Sequence, residues 1–132
     1  MKILFTLILS FIVVALVDAQ CDSMTLYTKD AGNGINQYAI LFRWSISNDT
    51  IIAEGIDVPG KKKPVKLIFH IETGTCHWRD DVNEGTSLYR VSLINKETPR
   101  KGIINIRAKD QMGRIQLIYD GINEPRVFNI KF

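Results

Sequence analysis

Residues 38–46 read Tyr38-Ala39-Ile40-Leu41-Phe42-Arg43-Trp44-Ser45-Ile46. Tyr38, Ile40, Phe42, Trp44 and Ile46 recur at every second position, and Ala39, Leu41, Arg43 and Ser45 fill the gaps. A period of two is that of an extended strand with one buried face, whereas a helix repeats every 3.6 residues. The stretch therefore predicts a β-strand that carries Trp44 at the centre of its apolar side.

The same period recurs toward the C-terminus. Val65, Leu67, Phe69 and Ile71 alternate with Lys66, Ile68, His70 and Glu72, and Tyr89, Val91 and Leu93 alternate with Arg90 and Ser92. Ile104, Ile106 and Ala108 follow, then Ile115, Leu117 and Tyr119, then Phe128, Ile130 and Phe132. Leu41, Ile68, Ile94, Ile103 and Ile118 interrupt the opposite faces, so part of the outer surface is expected to be covered or used.

Turn-forming residues separate the runs: Asn33-Gly34, Ser47-Asn48-Asp49, Pro59-Gly60, Pro99 to Gly102, Gln111-Met112-Gly113 and Asp120-Gly121. Short strands spaced by such signals predict consecutive antiparallel hairpins. No stretch offers a sustained apolar helical stripe. The expected fold is all-β, a single antiparallel β-sandwich or flattened barrel of about eight strands, because an open sheet of that length leaves one apolar face wet.

The N-terminus is of another kind. Lys2 precedes an unbroken apolar or small run from Ile3 to Val17, and Val17-Asp18-Ala19 has the small residues of a cleavage site. As a helix at ~1.5 Å per residue the run covers roughly 22 Å, short of a hydrocarbon core about 30 Å thick. Residues 1–19 are therefore expected to be a signal peptide and residues 20–132 a secreted, extracellular β-sandwich domain, with no stable membrane insertion after cleavage. Removing residues 1–19 takes away Lys2 and Asp18, so the formal charge of +3 is unchanged. Mild basicity of that size favours solubility and weak attraction to anionic surfaces, and it does not indicate nucleic-acid binding.

Two cysteines, Cys21 and Cys76, would meet an oxidising compartment on this reading, which predicts a disulfide between them. Such a bridge restricts the unfolded chain by about 4 kcal/mol on a loop-entropy model and ties the N-terminus to the middle of the domain. The order cysteine, Trp44, cysteine is also that of an immunoglobulin domain. That fold, however, places a tyrosine two residues before its second cysteine, near the end of the chain. Here residue 74 is glycine and four strand-like runs follow Cys76.

Catalytic parts are scarce. Hydrolytic chemistry needs a nucleophile, a base in reach and an orienting group. The histidines number two, His70 and His77, and the one conceivable dyad, Cys76 with His70, spends its thiol in the expected disulfide. No enzyme activity is expected. His70 and Glu72 share a strand face, and His77, Asp80 and Asp81 follow, but histidines and carboxylates on an outer face are usually solvated. No metal or other cofactor is expected.

Binding residues are easier to nominate. Gly60-Lys61-Lys62-Lys63-Pro64 is the densest charge cluster and could meet an anionic polysaccharide or lipid, or simply guard a strand edge. Trp78 stands among Thr75, His77, Arg79, Asp80 and Asp81. There it could stack on a sugar or anchor a protein, or fold over the disulfide as core. Asn48-Asp49-Thr50 is an N-glycosylation acceptor at an expected turn. The expected function is a secreted, non-enzymatic binding module that recognises an extracellular protein or glycan through loops bearing Lys61, Lys62, Lys63, His77, Trp78 and Arg79. Two alternatives stand beside it: a carrier of a small apolar ligand such as a lipid in a barrel or inter-sheet cavity, and an effector or inhibitor acting on another organism.

Overall fold

The computed structural model describes residues 23–56, 65–79 and 84–132. Those residues form ten strands and no helix: β1 (Met24–Thr28), β2 (Ala31–Gly32), β3 (Gln37–Tyr38), β4 (Leu41–Ile46), β5 (Thr50–Ile56), β6 (Lys66–Trp78), β7 (Gly85–Leu93), β8 (Arg100–Lys109), β9 (Met112–Tyr119) and β10 (Arg126–Asn129). All belong to one antiparallel sheet in the order β1-β4-β5-β6-β7-β8-β9-β10-β2-β3. There is one coiled sheet, a half-barrel, in place of two packed ones, so the sandwich half of the expectation is corrected. The strand number differs because β1 and β2 are one extended run broken at Lys29-Asp30, and β3 and β4 one run broken at Ala39-Ile40.

The break at Lys29-Asp30 lets one run serve two neighbours. β1 pairs with β4 from Met24↔Ile46 to Thr28↔Phe42, and β2 pairs with β10 through Gly32↔Val127. Between them Thr28 bridges Ile130, the Lys29 amide donates to the Asn129 carbonyl at 2.9 Å, and the Lys131 amide donates to the Tyr27 carbonyl at 2.7 Å. The first strand is thereby stitched along a seam to residues 129–131, at the end of β10.

At the seam Asp30 takes the place of missing ladder bonds. Its carboxylate accepts from the Asn129 amide at 3.0 Å, from Asn129 Nδ2 at 3.0 Å and from Gln37 Nε2 at 2.8 Å. Burial pushes this carboxyl up, but the hydrogen bonds from Asn129 and Gln37 outweigh it and hold the group below its ordinary value.

One apolar cluster fills the concave side, centred on Trp44, Ile51, Phe69, Val91, Ile104 and Leu117. The alternation expected for β4, β7, β8 and β9 is present, with burial at every second residue. In β6 it changes phase. Register with β7 slips between Ile71 and Thr73, a bulge, so Phe69 is buried before it and Trp78 after it. The long strand thus places odd residues inward in its first half and even ones in its second.

Other expectations shift at element ends. Tyr38 is 68% exposed and Phe132 45% exposed, both beyond the packed part of their runs. Residues 100–102 are strand, and the β7–β8 connection is Ile94 to Pro99. A side chain on Gly102 would stand 2.6 Å from the Ile118 carbonyl oxygen, so close strand approach explains this glycine rather than a turn. The β8–β9 turn is Asp110-Gln111, at φ 55° and 61°, one residue earlier than expected. A left-handed pair at a two-residue turn is the type whose twist matches that of the strands it joins. The turn at Pro59-Gly60, the leader 1–19 and Lys61 to Lys63 lie outside the described residues.

The surplus of outer apolar residues pairs across strands: Leu41 with Ile56, Ile52 with Ile68, and Ile103 with Ile118. Each such pair contributes roughly 0.2–1 kcal/mol.

Candidate functional site

Two hollows stand at opposite ends of the coiled sheet. The larger, of about 840 Å³, lies where β7 ends and β8 begins, beside the start of β6 and the end of β9. Phe42, Leu67, Leu93 and Phe128 from four different strands supply its apolar wall. These residues belong to, or pack on, the central cluster, so the hollow opens directly onto the core. Its size is that of small-molecule sites, roughly 300–1,000 Å³.

The rim of this cup is polar and mostly cationic. Lys96, Arg100 and Arg126 line it together with one carboxylate, Glu124, which accepts a hydrogen bond from Asn33 Nδ2 at 2.8 Å. The Arg100 guanidinium lies 5.6 Å from the centroid of the Tyr119 ring, within cation–π range. Burial pushes the Tyr119 hydroxyl up, while the charges of Arg126 and Arg100 pull it the other way. Two guanidinium groups thus converge near one phenol at the mouth. The arrangement offers an apolar body a dry wall and an anionic head two cations and a hydroxyl.

The second hollow, about 810 Å³, lies at the end of β6 and the β8–β9 turn, and His77, Trp78 and Arg79 line it. Of the two expectations for Trp78, a stacking platform or core, its burial fits the second. Trp78 is 8% exposed, and its indole N–H donates to Ser87 Oγ at 2.6 Å. His77 and Arg79 are exposed. Arg79 pairs with Glu84 at 3.4 Å, and its amide donates to the Glu84 carbonyl at 3.0 Å.

The remaining nominated residues are scattered. Cys76 is half-buried on β6 and is not a free cysteine, and Cys21 lies outside the described residues. Asn48 is exposed in the β4–β5 turn, closed by the Ser47 amide donating to the Thr50 carbonyl at 2.9 Å. His70 and Cys76 sit on the same strand six residues apart, which at ~3.3 Å per residue sets them roughly 20 Å apart. They cannot share a proton. Glu72, the residue added at the bulge, accepts from Ser92 Oγ at 2.6 Å and pairs with Lys101 at 3.1 Å. The Ser92 hydrogen bond, then Lys101, hold its carboxyl below the ordinary value. Among the described residues no three histidine, cysteine or carboxylate side chains gather as metal ligands; Asp80 and Asp81 lie outside them.

Sequence reasoning missed the cup. Its wall residues were recognisable as inward-facing, but nothing in local alternation says that four of them end at one mouth. The rim cations Lys96, Arg100 and Arg126 sit in or beside connections, which was the available signal. Comparison of the chain with protein-family models, with curated proteins and with solved structures gives no match.

Proposed function

We propose that this chain is a non-enzymatic binding protein that carries a small amphipathic anion, with the apolar body in the cup and the charged head among Arg100, Arg126 and Lys96. The observation that carries the reading is the hollow of about 840 Å³ that joins a core-facing apolar wall to a cationic rim. Apolar enclosure supplies affinity at roughly 25 cal/mol per Å² removed from water, and the rim orients the ligand.

Secretion belongs to the same proposal: cleavage after Ala19, a Cys21–Cys76 disulfide and a glycan on Asn48 are its expected features. The exposed position of Asn48 in a turn suits the last of these. Recognition of an extracellular protein or glycan through the loops is the second reading, and it draws on exposed His77 and Arg79 at the other hollow.

Calorimetric titration with dodecanoate and with dodecanol tests the first reading. Saturable one-to-one binding of dodecanoate is expected. In the double variant Arg100→Glu, Arg126→Glu it should weaken at least about tenfold, as the loss of one charge-assisted contact predicts, while dodecanol binding stays unchanged. Absence of saturable dodecanoate binding, or equal affinity in the double variant, refutes the reading.

A further inference from the structure

The two-residue turn Asp110-Gln111 fixes the register of β8 on β9, and that register sets Arg107 directly opposite Arg114. Both are exposed on the convex face. Directly opposed side chains have Cβ atoms roughly 4.5–5.5 Å apart, and like charges in that relation destabilise a sheet. Stability therefore gives no reason for the pair.

Neither guanidinium makes an ion pair or hydrogen bond with a described residue, in contrast to Arg43, Arg79 and Arg90, each of which holds a carboxylate. The neighbouring strands continue the row with groups able to hydrogen-bond. Thr86 stands beside Arg107, His77 beside Thr86, and Asn129 beside Arg114. Arg107 and Arg114 line the 810 Å³ hollow with Arg79 and Lys109, and the one described carboxylate there, Glu84, is engaged with Arg79. A surface on which unpaired cations outnumber carboxylates concentrates anions. Two adjacent guanidinium forks suit a tetrahedral oxyanion, which can accept two hydrogen bonds from each.

The hollow is far larger than a single sulfate or phosphate ion, and Met112, exposed on the same outer face as Arg114, gives that face an apolar portion. We infer that Arg107 and Arg114 form a binding site for the phosphate or sulfate monoester of a small organic molecule, whose uncharged body lies against Met112. The site is at the end of the sheet opposite the amphiphile cup and independent of it.

The test is a nitrogen–proton correlation titration of the full secreted chain with phenyl phosphate, phenyl sulfate, the free inorganic ions and phenol. Phenyl phosphate or phenyl sulfate should shift the amides of Arg107 and Arg114 saturably, and whichever binds more tightly identifies the ester. Affinity should fall about tenfold in Arg107→Gln or Arg114→Gln, disappear in the double variant, and weaken with added salt. Removing either charge should leave the melting temperature unchanged or raise it, because the repulsion goes with it. Equal shifts with phenol, equal affinity for the free ion and its ester, unaltered binding in the double variant, or binding confined to a long sulfated polymer would each overturn the inference. A fall in melting temperature in both single variants would also overturn it, by showing that the pair serves the fold.

Discussion

Replacing Trp44 with alanine is expected to remove about 3–5 kcal/mol of folding stability, the range for deleting a large buried aromatic. Trp44 is fully buried on β4. Its indole N–H donates to Thr28 Oγ1 on β1 at 3.1 Å, and its ring meets Phe128 of β10 edge-on at 4.9 Å. Phe128 in turn meets Phe42 edge-on at 5.4 Å. One side chain therefore binds three strands that come together at the seam, and its loss opens a cavity behind it. A domain of this size is stable by about 5–15 kcal/mol, so the substitution uses a large share of the total. Trp44→Phe keeps most of the volume and loses the bond to Thr28, whose buried hydroxyl is left unpartnered. It should cost about 1–3 kcal/mol. Urea unfolding midpoints of the two variants check both values, and equal costs would mean that the hydrogen bond, not the packing, dominates.

Asp30→Ala is expected to cost about 2–3 kcal/mol, chiefly by leaving the Asn129 amide without its acceptor at a partly buried site. Because the folded carboxyl titrates below its ordinary value, its contribution is fully present above the ordinary carboxylate range. It is lost as the pH falls through the folded value. Wild type should therefore lose stability on acidification more steeply than Asp30→Asn, which cannot titrate. Asn at this position presents one acceptor and two donors to a site lined by donors, so at neutral pH it should lie between wild type and alanine. Thermal unfolding of the three proteins across the acid range reads both effects. Parallel pH profiles for wild type and Asp30→Asn would mean that the clamp is not ionic.

Both residues show where sequence reading stops. Trp44 was legible as core because its neighbours at 42 and 46 share its face, and period two reports a face directly. That Trp44 reaches Thr28 and Phe128 was not legible, since alternation carries no information about which distant strand lies across the sheet. Asp30 and Asn129 are 99 positions apart, and a lone aspartate between two short strands looks like an ordinary loop residue. The bulge at Ile71/Thr73 was hidden for a related reason. One extra residue reverses every later face, whereas unbroken alternation sets Glu72 on one outer face with His70.

The polar sequence neighbours of Trp78 recommend it for binding as well as for core. On a strand the immediate neighbours point the opposite way, so polar flanks are what a buried tryptophan at a strand end should have. The Arg107–Arg114 pair depended on the exact turn residues. A turn at Gln111 to Gly113 predicts other partners, whereas the left-handed pair at Asp110-Gln111 sets the arginines face to face. The cup is the least local feature, assembled from the ends of strands spread across β4 to β10.

Whether the half-barrel holds an amphiphile at its cationic mouth is read by intermolecular nuclear Overhauser effects between dodecanoate and the protein. Contacts are expected from the alkyl chain to Phe42, Leu67, Leu93 and Phe128, with the carboxylate end nearest Arg100 and Arg126. Contacts confined to the convex face, or to the opposite end around Trp78, would contradict it.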